Sequence, residues 1–386
     1  MINWLNKILG RVIDTRAMTI ATPPSYVHAT AELIRTEWHR QRQSFVISDM
    51  ETLVGRLGHI SETAPWLRFV MPHLYASLTH ALKGARDRLI TTRKDFREML
   101  KAIKALRYKS AQAPDSEKEA IDRHISFNES HTSKAVHHSA KPCDYNPTLR
   151  IDLRFIQTIL SSTWVDLSRP IGHMVKRTPS AIAHGDSSLF AAGGYSVKMK
   201  FWWYIEWPDK IKNHTLKFVK NNKDNTLISI NVLEYAAGII NYIAAMHYYA
   251  NFPDSSDPTP TVTIYDDNRA SESWLLKGSK SSMIGRGLGR LQCALMINST
   301  VALKVARVST EDNVIADRIS RILCEADIAS QISLLKQDFP QLTSCRRFHP
   351  SAELTSAIIA ILSRDKSFDP LEVRDKLLAN LGRSTI

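Results

Sequence analysis

Four acidic residues have the types and the order of a group that could bind divalent metal ions. Asp186, Glu234, Asp267 and Asp317 each follow a predicted strand or lie in a predicted helix, and they are dozens of residues apart. Crowded carboxylates raise one another's pKa unless a cation neutralises them, and Mg²⁺ binds such oxygen ligands. Two ions about 3.5–4 Å apart can activate a water and stabilise the leaving oxygen of a phosphodiester. Taken singly, each acid is more often a helix cap or a surface charge.

The elements that must bring these acids together are strands that first meander and then alternate with helices. The patterns predict strands at 181–186 and 201–207 around a turn or bulge at Gly193-Gly194, a helix at 232–249, a strand at 262–265, helices near 270–276 and 284–297, a strand at 302–308 and a helix at 313–323. This order is typical of a mixed sheet covered by helices. If the strands at 181–186 and 262–265 are neighbours, Asp186 and Asp267 emerge side by side at their carboxyl ends.

The composition is that of a folded, basic protein. The chain has 386 residues, of which 44% are hydrophobic and 23% charged, and its net charge is +13. These values exclude a chain that is disordered throughout and a collagen-like repeat. The four cysteines are too widely spaced for zinc ribbons or redox pairs. The longest nearly apolar stretch, 236–250, is too short to span a membrane, and residues 1–10 lack the pattern of a secretory signal. We therefore expect an intracellular protein with no membrane partner.

The positive charge favours a polyanionic partner such as nucleic acid. Residues 83–109 carry ten basic side chains against three acidic ones. This charge run fits a solvated helix face and a phosphate-tracking surface equally well, and both interpretations stay open.

The changes in composition along the chain predict five regions. They are a mainly helical region at 1–109, a mobile connector rich in His, Ser and Lys at 110–147, a helical lead-in at 148–178, the sheet domain at 179–325 and a helical tail at 326–386. The connector shows no sustained apolar period and carries three prolines, so we expect it to lack a core of its own. Its histidines have no cysteine partners or fixed helical spacing, so a metal site there is the weaker interpretation.

The sequence around the four acids carries a resemblance to a known family. It reads His184-Gly-Asp-Ser, Ile230-Asn-Val-Leu-Glu, Tyr265-Asp-Asp-Asn-Arg and Asp312-Asn-Val-Ile-Ala-Asp. In this order, the segments resemble the ribonuclease H motifs of retroelement reverse transcriptases, most of all those of gypsy-like and DIRS-type retrotransposons.

This resemblance implies both a fold and an activity. The fold is a ribonuclease H-like α/β domain with a mixed five-stranded sheet flanked by helices, preceded by a mainly helical region similar to a thumb and connection. The activity is hydrolysis of the RNA strand of RNA–DNA hybrids. The implied catalytic residues, which also bind two Mg²⁺ ions or Mn²⁺ in their place, are Asp186, Glu234, Asp267 and Asp317.

The likeness extends beyond the four motifs but does not include a polymerase. Residues 8–20 are similar to the strand region after the polymerase palm, and 53–66 to the thumb and connection. Tyr265-Asp266-Asp267 imitates the metal-binding hairpin of a polymerase, but no returning strand follows it and it occupies the third ribonuclease H position. We therefore expect no DNA synthesis by this chain alone, with a polymerase-bearing chain in trans as a candidate partner.

Basic side chains near the predicted strands and helices are candidates for holding the nucleic acid. They are Lys198, Lys200, Lys210, Lys212, Lys277, Lys280, Arg286 and Arg290. Phosphate contacts from such residues are salt-sensitive and independent of sequence, whereas selection for RNA rests on its 2′-hydroxyl groups.

Two other functions compete with the nuclease. One is a catalytically silent module, derived from a retroelement, that binds RNA or the hybrid through the same fold and basic surface. The other is a transposase or integrase of the same fold class. In those enzymes the glutamate typically comes last among the acids, whereas Glu234 comes second here.

Overall fold

The computed structural model describes residues 5–220, 228–365 and 368–380. The chain divides into two compact units, a larger one of residues 1–28, 58–72 and 159–386 and a smaller one of residues 29–57 and 73–158. Among the described residues, we find no helix with the length and apolar character needed to cross a membrane.

The secondary structure mixes strands and helices throughout the described ranges. The strands are β1 (Leu5–Ile8), β2 (Arg11–Asp14), β3 (Thr19–Ala21), β4 (Ser44–Phe45), β5 (Cys143–Asp144), β6 (Ser168–Pro170), β7 (Ala181–Ser187), β8 (Ala191–Ser196), β9 (Phe201–Glu206), β10 (Thr261–Asp266), β11 (Ala302–Arg307) and β12 (Arg346–Arg347). The helices are α1 (Pro24–Glu37), α2 (Ile47–Thr63), α3 (Pro72–Thr92), α4 (Lys94–Gln112), α5 (Asp115–Ser139), α6 (Pro147–Leu160), α7 (Asp209–Lys220), α8 (Ile230–Asn251), α9 (Arg269–Lys277), α10 (Met283–Met296), α11 (Val314–Ser320), α12 (Ile328–Asp338), α13 (Ala352–Leu362) and α14 (Pro370–Asn380).

The larger unit is built on a six-stranded mixed sheet in the order β11-β10-β7-β8-β9-β12. Strands β7, β8 and β9 pair antiparallel, whereas β10 pairs parallel with both β7 and β11. The predicted mixed sheet flanked by helices is therefore confirmed, with six strands in place of five. The sixth, β12, pairs with β9 and consists of two arginines, which give no hydrophobic alternation for sequence analysis to detect.

Helices cover both faces of this sheet because successive strand residues point to opposite sides. Trp203 of β9 is buried with residues of α8, whereas its neighbours Trp202 and Tyr204 are buried with Ile315 and Ile319 of α11. The long helix α8 is apolar nearly all round, as expected for a helix enclosed in a core. The sheet is therefore the middle layer of three.

The glycine pair Gly193-Gly194 lies inside β8, so the predicted turn or bulge is wrong. A Cβ atom on Gly193 would lie 2.3 Å from Cγ2 of Ile319, and one on Gly194 would lie 2.7 Å from Nε1 of Trp203. These glycines let the helices approach the sheet closely; they do not reverse the chain.

The C-terminal region is helical, as predicted, but it shares the core of the sheet domain. Leu354 and Ile358 of α13 and Leu377 of α14 are buried in the same cluster as α8. Because β12 also joins the large sheet, the predicted boundary at residue 325 does not separate two cores.

A second, four-stranded antiparallel sheet in the order β1-β2-β3-β6 belongs to the same unit. Its last strand, β6, comes from the region at 148–178 that was predicted to be a helical lead-in. That region contains α6 and a short 3-10 helix at Ile171–His173, and between them the chain turns to pair with β3.

In the smaller unit, the predicted mobile connector at 110–147 contains the 25-residue helix α5, so that prediction is wrong for most of its length. Ile121, Ile125, Thr132 and Val136 are buried, and their spacings of four and seven residues form one helical stripe. Val136 joins a cluster with residues of α3 and α4. The polar and charged residues between these positions masked the apolar period.

Candidate metal centre

Three of the four predicted acids meet at one end of the large sheet. Asp186 lies near the end of β7, and Asp267 directly follows β10. The two strands run parallel with His184 opposite Tyr265, so the acids two residues further on emerge at the same level. Glu234 reaches them from the second turn of α8. β7 and β10 are therefore neighbours and bring Asp186 and Asp267 side by side, as the sequence predicted.

The geometry of this acidic triad, Asp186, Glu234 and Asp267, suits a cation. One carboxylate oxygen from each residue lies within 4.8 Å of the other two. Asp186 is 8% exposed and Glu234 is 9% exposed, while Asp267 is half-buried. Oxygen Oε2 of Glu234 is buried without a hydrogen-bond partner. An unpaired buried oxygen beside two other hard oxygen donors fits Mg²⁺ or Mn²⁺.

The electrostatics of the triad show that its charges are not balanced by the protein. Burial, followed by repulsion from Asp266, Asp186 and Asp267, raises the pKa of Glu234 to about 9. Burial also raises the pKa of Asp186 to about 6, an effect that a hydrogen bond from Ser320 opposes. At neutral pH, ionisation of Glu234 beside the other two acids is therefore unfavourable, and a cation bound among the three carboxylates would favour it.

Asp266, the acidic neighbour of Asp267, has a structural role. It is 5% exposed, and its carboxylate accepts hydrogen bonds from the Ser271 hydroxyl and the Asn268 backbone N–H. Burial raises its pKa to about 7 against these bonds. The bonds of Asp266 hold Asn268 and Ser271 at the start of α9. Its negative charge adds to the repulsion that raises the pKa of Glu234.

Asp317, predicted as the fourth ligand, lies at the same cavity but outside the triad. This acidic cavity has a volume of about 570 Å³ and is lined by all four predicted acids and by Arg321. Both carboxylate oxygens of Asp317 lie 2.8 Å from Nε of Arg321. The neighbouring Arg318 pairs with Asp338, 2.7 Å away. The helix α11 thus brings Asp317 to the cavity and pairs it with a cation one turn further on.

Sequence analysis missed the polar residues that hold the triad in place. Ser320 donates a hydrogen bond to Oδ2 of Asp186. Asn268 caps α9 by accepting from the backbone N–H groups of Ala270 and Ser271, and its side-chain amide donates to Oδ1 of Asn231 at 2.7 Å. An Asn directly before a helix is a recognisable cap signal. A serine such as Ser320 offers no comparable signal, because its partner is distant in sequence.

The eight predicted nucleic-acid contacts are spread over the larger unit, and none of them lines the acidic cavity. Lys198 and Lys200 lie in the turn between β8 and β9, at the end of the sheet opposite Asp186. Lys210 and Lys212 follow β9 at the same end as the triad, but Lys212 pairs with Glu206.

The other four lie at the end of α9, the helix that follows Asp267, or after it. Lys277 ends α9, Lys280 follows it, and Arg286 and Arg290 share a face of α10. The lysines are exposed and the arginines half-buried. None of these four side chains lines the acidic cavity.

The basic run of the sequence lies on α3 and α4 in the smaller unit. Its residues border an open groove of about 900 Å³, with Phe96 and Ile103 in its floor and Lys83, Arg86 and Lys104 along its sides. Among the described residues, these three side chains form no ion pair. Three other members of the run are ion-paired, Arg93 with Asp95, Lys101 with Glu98 and Arg107 with Glu129, so only part of the run offers unpaired positive charge.

Comparison of the chain with protein-family models, curated proteins and solved structures gives no match.

Proposed function

We propose that the chain is a metal-dependent endonuclease of the ribonuclease H type, which hydrolyses the RNA strand of RNA–DNA hybrids. The observation that carries this proposal is the acidic triad, whose members approach within 4.8 Å because β7 and β10 pair in parallel and in register. The order of the acids, with the glutamate second, favours this class over a transposase or integrase.

Asp186, Glu234 and Asp267 would hold the divalent ions, with Asp317 at the margin of the same cavity. When bound, such ions supply a nucleophilic water and stabilise the leaving oxygen. The protein's part is to fix the carboxylates: Ser320 orients Asp186, and burial limits the competing water around Glu234. The exposed lysines of the larger unit would hold the strands through phosphate contacts, so substrate affinity would fall with rising salt.

The test is cleavage of a hybrid labelled on its RNA strand, with Mg²⁺ and then Mn²⁺, by the wild-type protein and by Asp186→Asn. The matched control is Glu311→Gln, which removes an exposed carboxylate beside the cavity. Asp186→Asn is expected to slow cleavage by about a hundredfold or more, because a metal ligand is lost. Glu311→Gln is expected to cleave as fast as wild type. Equal rates in wild type and Asp186→Asn, or no cleavage by either, would overturn the proposal.

A second function has one observation in its favour. The pairing of Asp317 with Arg321 leaves the cavity one free carboxylate short of the four that the resemblance implies. A catalytically silent module that binds RNA or the hybrid would tolerate this pairing. It predicts salt-sensitive hybrid binding with no product in Mg²⁺ or Mn²⁺, whereas the nuclease predicts binding and turnover together.

A further inference from the structure

The larger unit contains a second polar cavity, of about 330 Å³, whose charge has the opposite sign to that of the triad. Arg68, Arg169 and His173 line it, together with apolar side chains and the start of β11. Because β11 runs parallel to β10, its first residue lies at the opposite end of the sheet from Asp267. The six residues of β10 alone separate the two ends by about 20 Å.

Arg169 lines this cavity and is held in place by hydrogen bonds to the backbone. Its guanidinium donates to two backbone carbonyl oxygens, those of Glu62 at 3.4 Å and His173 at 3.0 Å, and within the described part of the chain it bonds to no carboxylate. Its Nε atom is buried without a partner. Burial, and then the charge of Arg68, lower the pKa of Arg169. The protein therefore holds a half-buried cation next to a second cation.

Two carboxylates lie nearby, and among the described residues neither pairs with Arg68 or Arg169. Glu62 pairs with Arg11. Asp166, which also borders the cavity, accepts hydrogen bonds from the backbone N–H and the hydroxyl of Ser168. Arg68 is exposed at the cavity, and among the described residues it forms no hydrogen bond or ion pair.

His173, which also lines the cavity, adds no charge to it at pH 7. It bonds to the Thr300 carbonyl oxygen at 3.1 Å through Nε2. Burial and the charge of Arg169 lower the pKa of His173 to about 4, so it is neutral at pH 7. The positive charge at this cavity therefore comes from Arg68 and Arg169 and not from His173.

We propose that Arg68 and Arg169 form a binding site for a phosphate group, separate from the acidic triad. Guanidinium groups bind phosphate oxygens through paired, charge-assisted hydrogen bonds. Apolar walls that include Trp66 and Leu303 reduce screening and strengthen that attraction. The volume is at the lower end of the range for small-ligand pockets, which suits a phosphate with a small organic group. The phosphate can belong to a free phosphate ester or to a nucleic-acid strand.

The first test is calorimetric titration of the full chain with inorganic phosphate at constant ionic strength. Arg68→Gln removes an exposed side chain with no structural partner, so the variant is expected to fold, and phosphate binding should weaken by about tenfold or more. The matched control, Arg307→Gln, removes an exposed arginine at the far end of β11 and should bind as wild type does. Asp186→Asn should also bind phosphate unchanged, which separates this site from the proposed nuclease centre.

Two competitors then distinguish the sources of the phosphate. A 5′-mononucleotide that displaces inorganic phosphate identifies a site for phosphate esters. Displacement by a 5′-hydroxyl oligonucleotide, but not by the mononucleotide, identifies a contact with the nucleic-acid backbone. Absence of saturable phosphate binding, or equal affinity in Arg68→Gln and wild type, would overturn the proposal.

Discussion

Replacement of Glu234 by Gln is predicted to stabilise the metal-free protein while removing its response to Mg²⁺. Burial and the neighbouring acids hold the pKa of Glu234 at about 9, compared with 4.5 for an ordinary glutamate. The folded protein therefore keeps a proton on this carboxyl at a pH where the unfolded chain has lost it. Gln keeps the shape of the protonated side chain without this requirement.

The magnitude follows from the difference in proton binding. Because the folded state keeps a proton on Glu234 between pH 4.5 and 9, the contribution of this one group to the free energy of unfolding falls as the pH rises through this range, by about 1.36 kcal/mol per pH unit. At pH 7 the penalty is about 3 kcal/mol. We expect Glu234→Gln to gain most of it, with little gain at pH 4.5 and the largest gain above pH 9.

The assay is thermal or urea unfolding in EDTA between pH 5 and 9, followed by tryptophan fluorescence, since Trp203 and Trp207 lie in the same core as α8. Glu311→Gln is the control, with no expected gain. Added Mg²⁺ should stabilise wild type by about 1.4 kcal/mol for each tenfold excess over its dissociation constant, and Glu234→Gln much less. A variant no more stable than wild type at pH 7, or a gain that does not change with pH, would refute the reasoning.

Three further predictions concern the close packing of Gly193, the hydrogen bond of His73 and the buried position of Val136. Gly193→Ala should lower the free energy of unfolding in urea by about 1–3 kcal/mol, because its Cβ would lie 2.3 Å from Ile319; an unchanged midpoint would contradict this close packing. His73→Ala should lower the free energy of unfolding by about 1 kcal/mol, because it removes the 2.8 Å hydrogen bond between the His73 ring and the buried Asp152 carboxylate; an equally stable variant would show that this bond contributes little. Val136→Asp should expose α5 to limited proteolysis, whereas wild type should resist cleavage there; equal cleavage rates would contradict the buried position of Val136.

The parts of the fold that could be predicted are those whose sequence pattern is strong on a local scale. The apolar strands β7 and β10 and the apolar helix α8 are predictable from the sequence; Asp186 lies in β7, Glu234 lies in α8, and Asp267 directly follows β10. The parallel pairing of β7 with β10 could be stated as a condition for the site, because it follows from strand order and not from local composition. The structure meets that condition.

The parts that could not be predicted depend on contacts between distant residues. The buried stripe of α5 is diluted by charged residues, so its helical period is visible only once its partner α4 is known. Strand β12 is too short to show a pattern. The pairing of Asp317 with Arg321 competes with the predicted ligand role, and spacing alone cannot decide which contact forms. The Gly193-Gly194 pair is typical of a turn, and only the packing of Ile319 of α11 against Gly193 explains a glycine within a strand.

The most direct measurement of the central claim is an anomalous difference map from crystals of the full chain soaked in Mn²⁺. The nuclease account predicts ion density bounded by the carboxylates of Asp186, Glu234 and Asp267, and its loss in Asp186→Asn crystals soaked in the same way. A map without density among these three residues, at Mn²⁺ concentrations that support hybrid cleavage by this class of enzyme, would contradict the account.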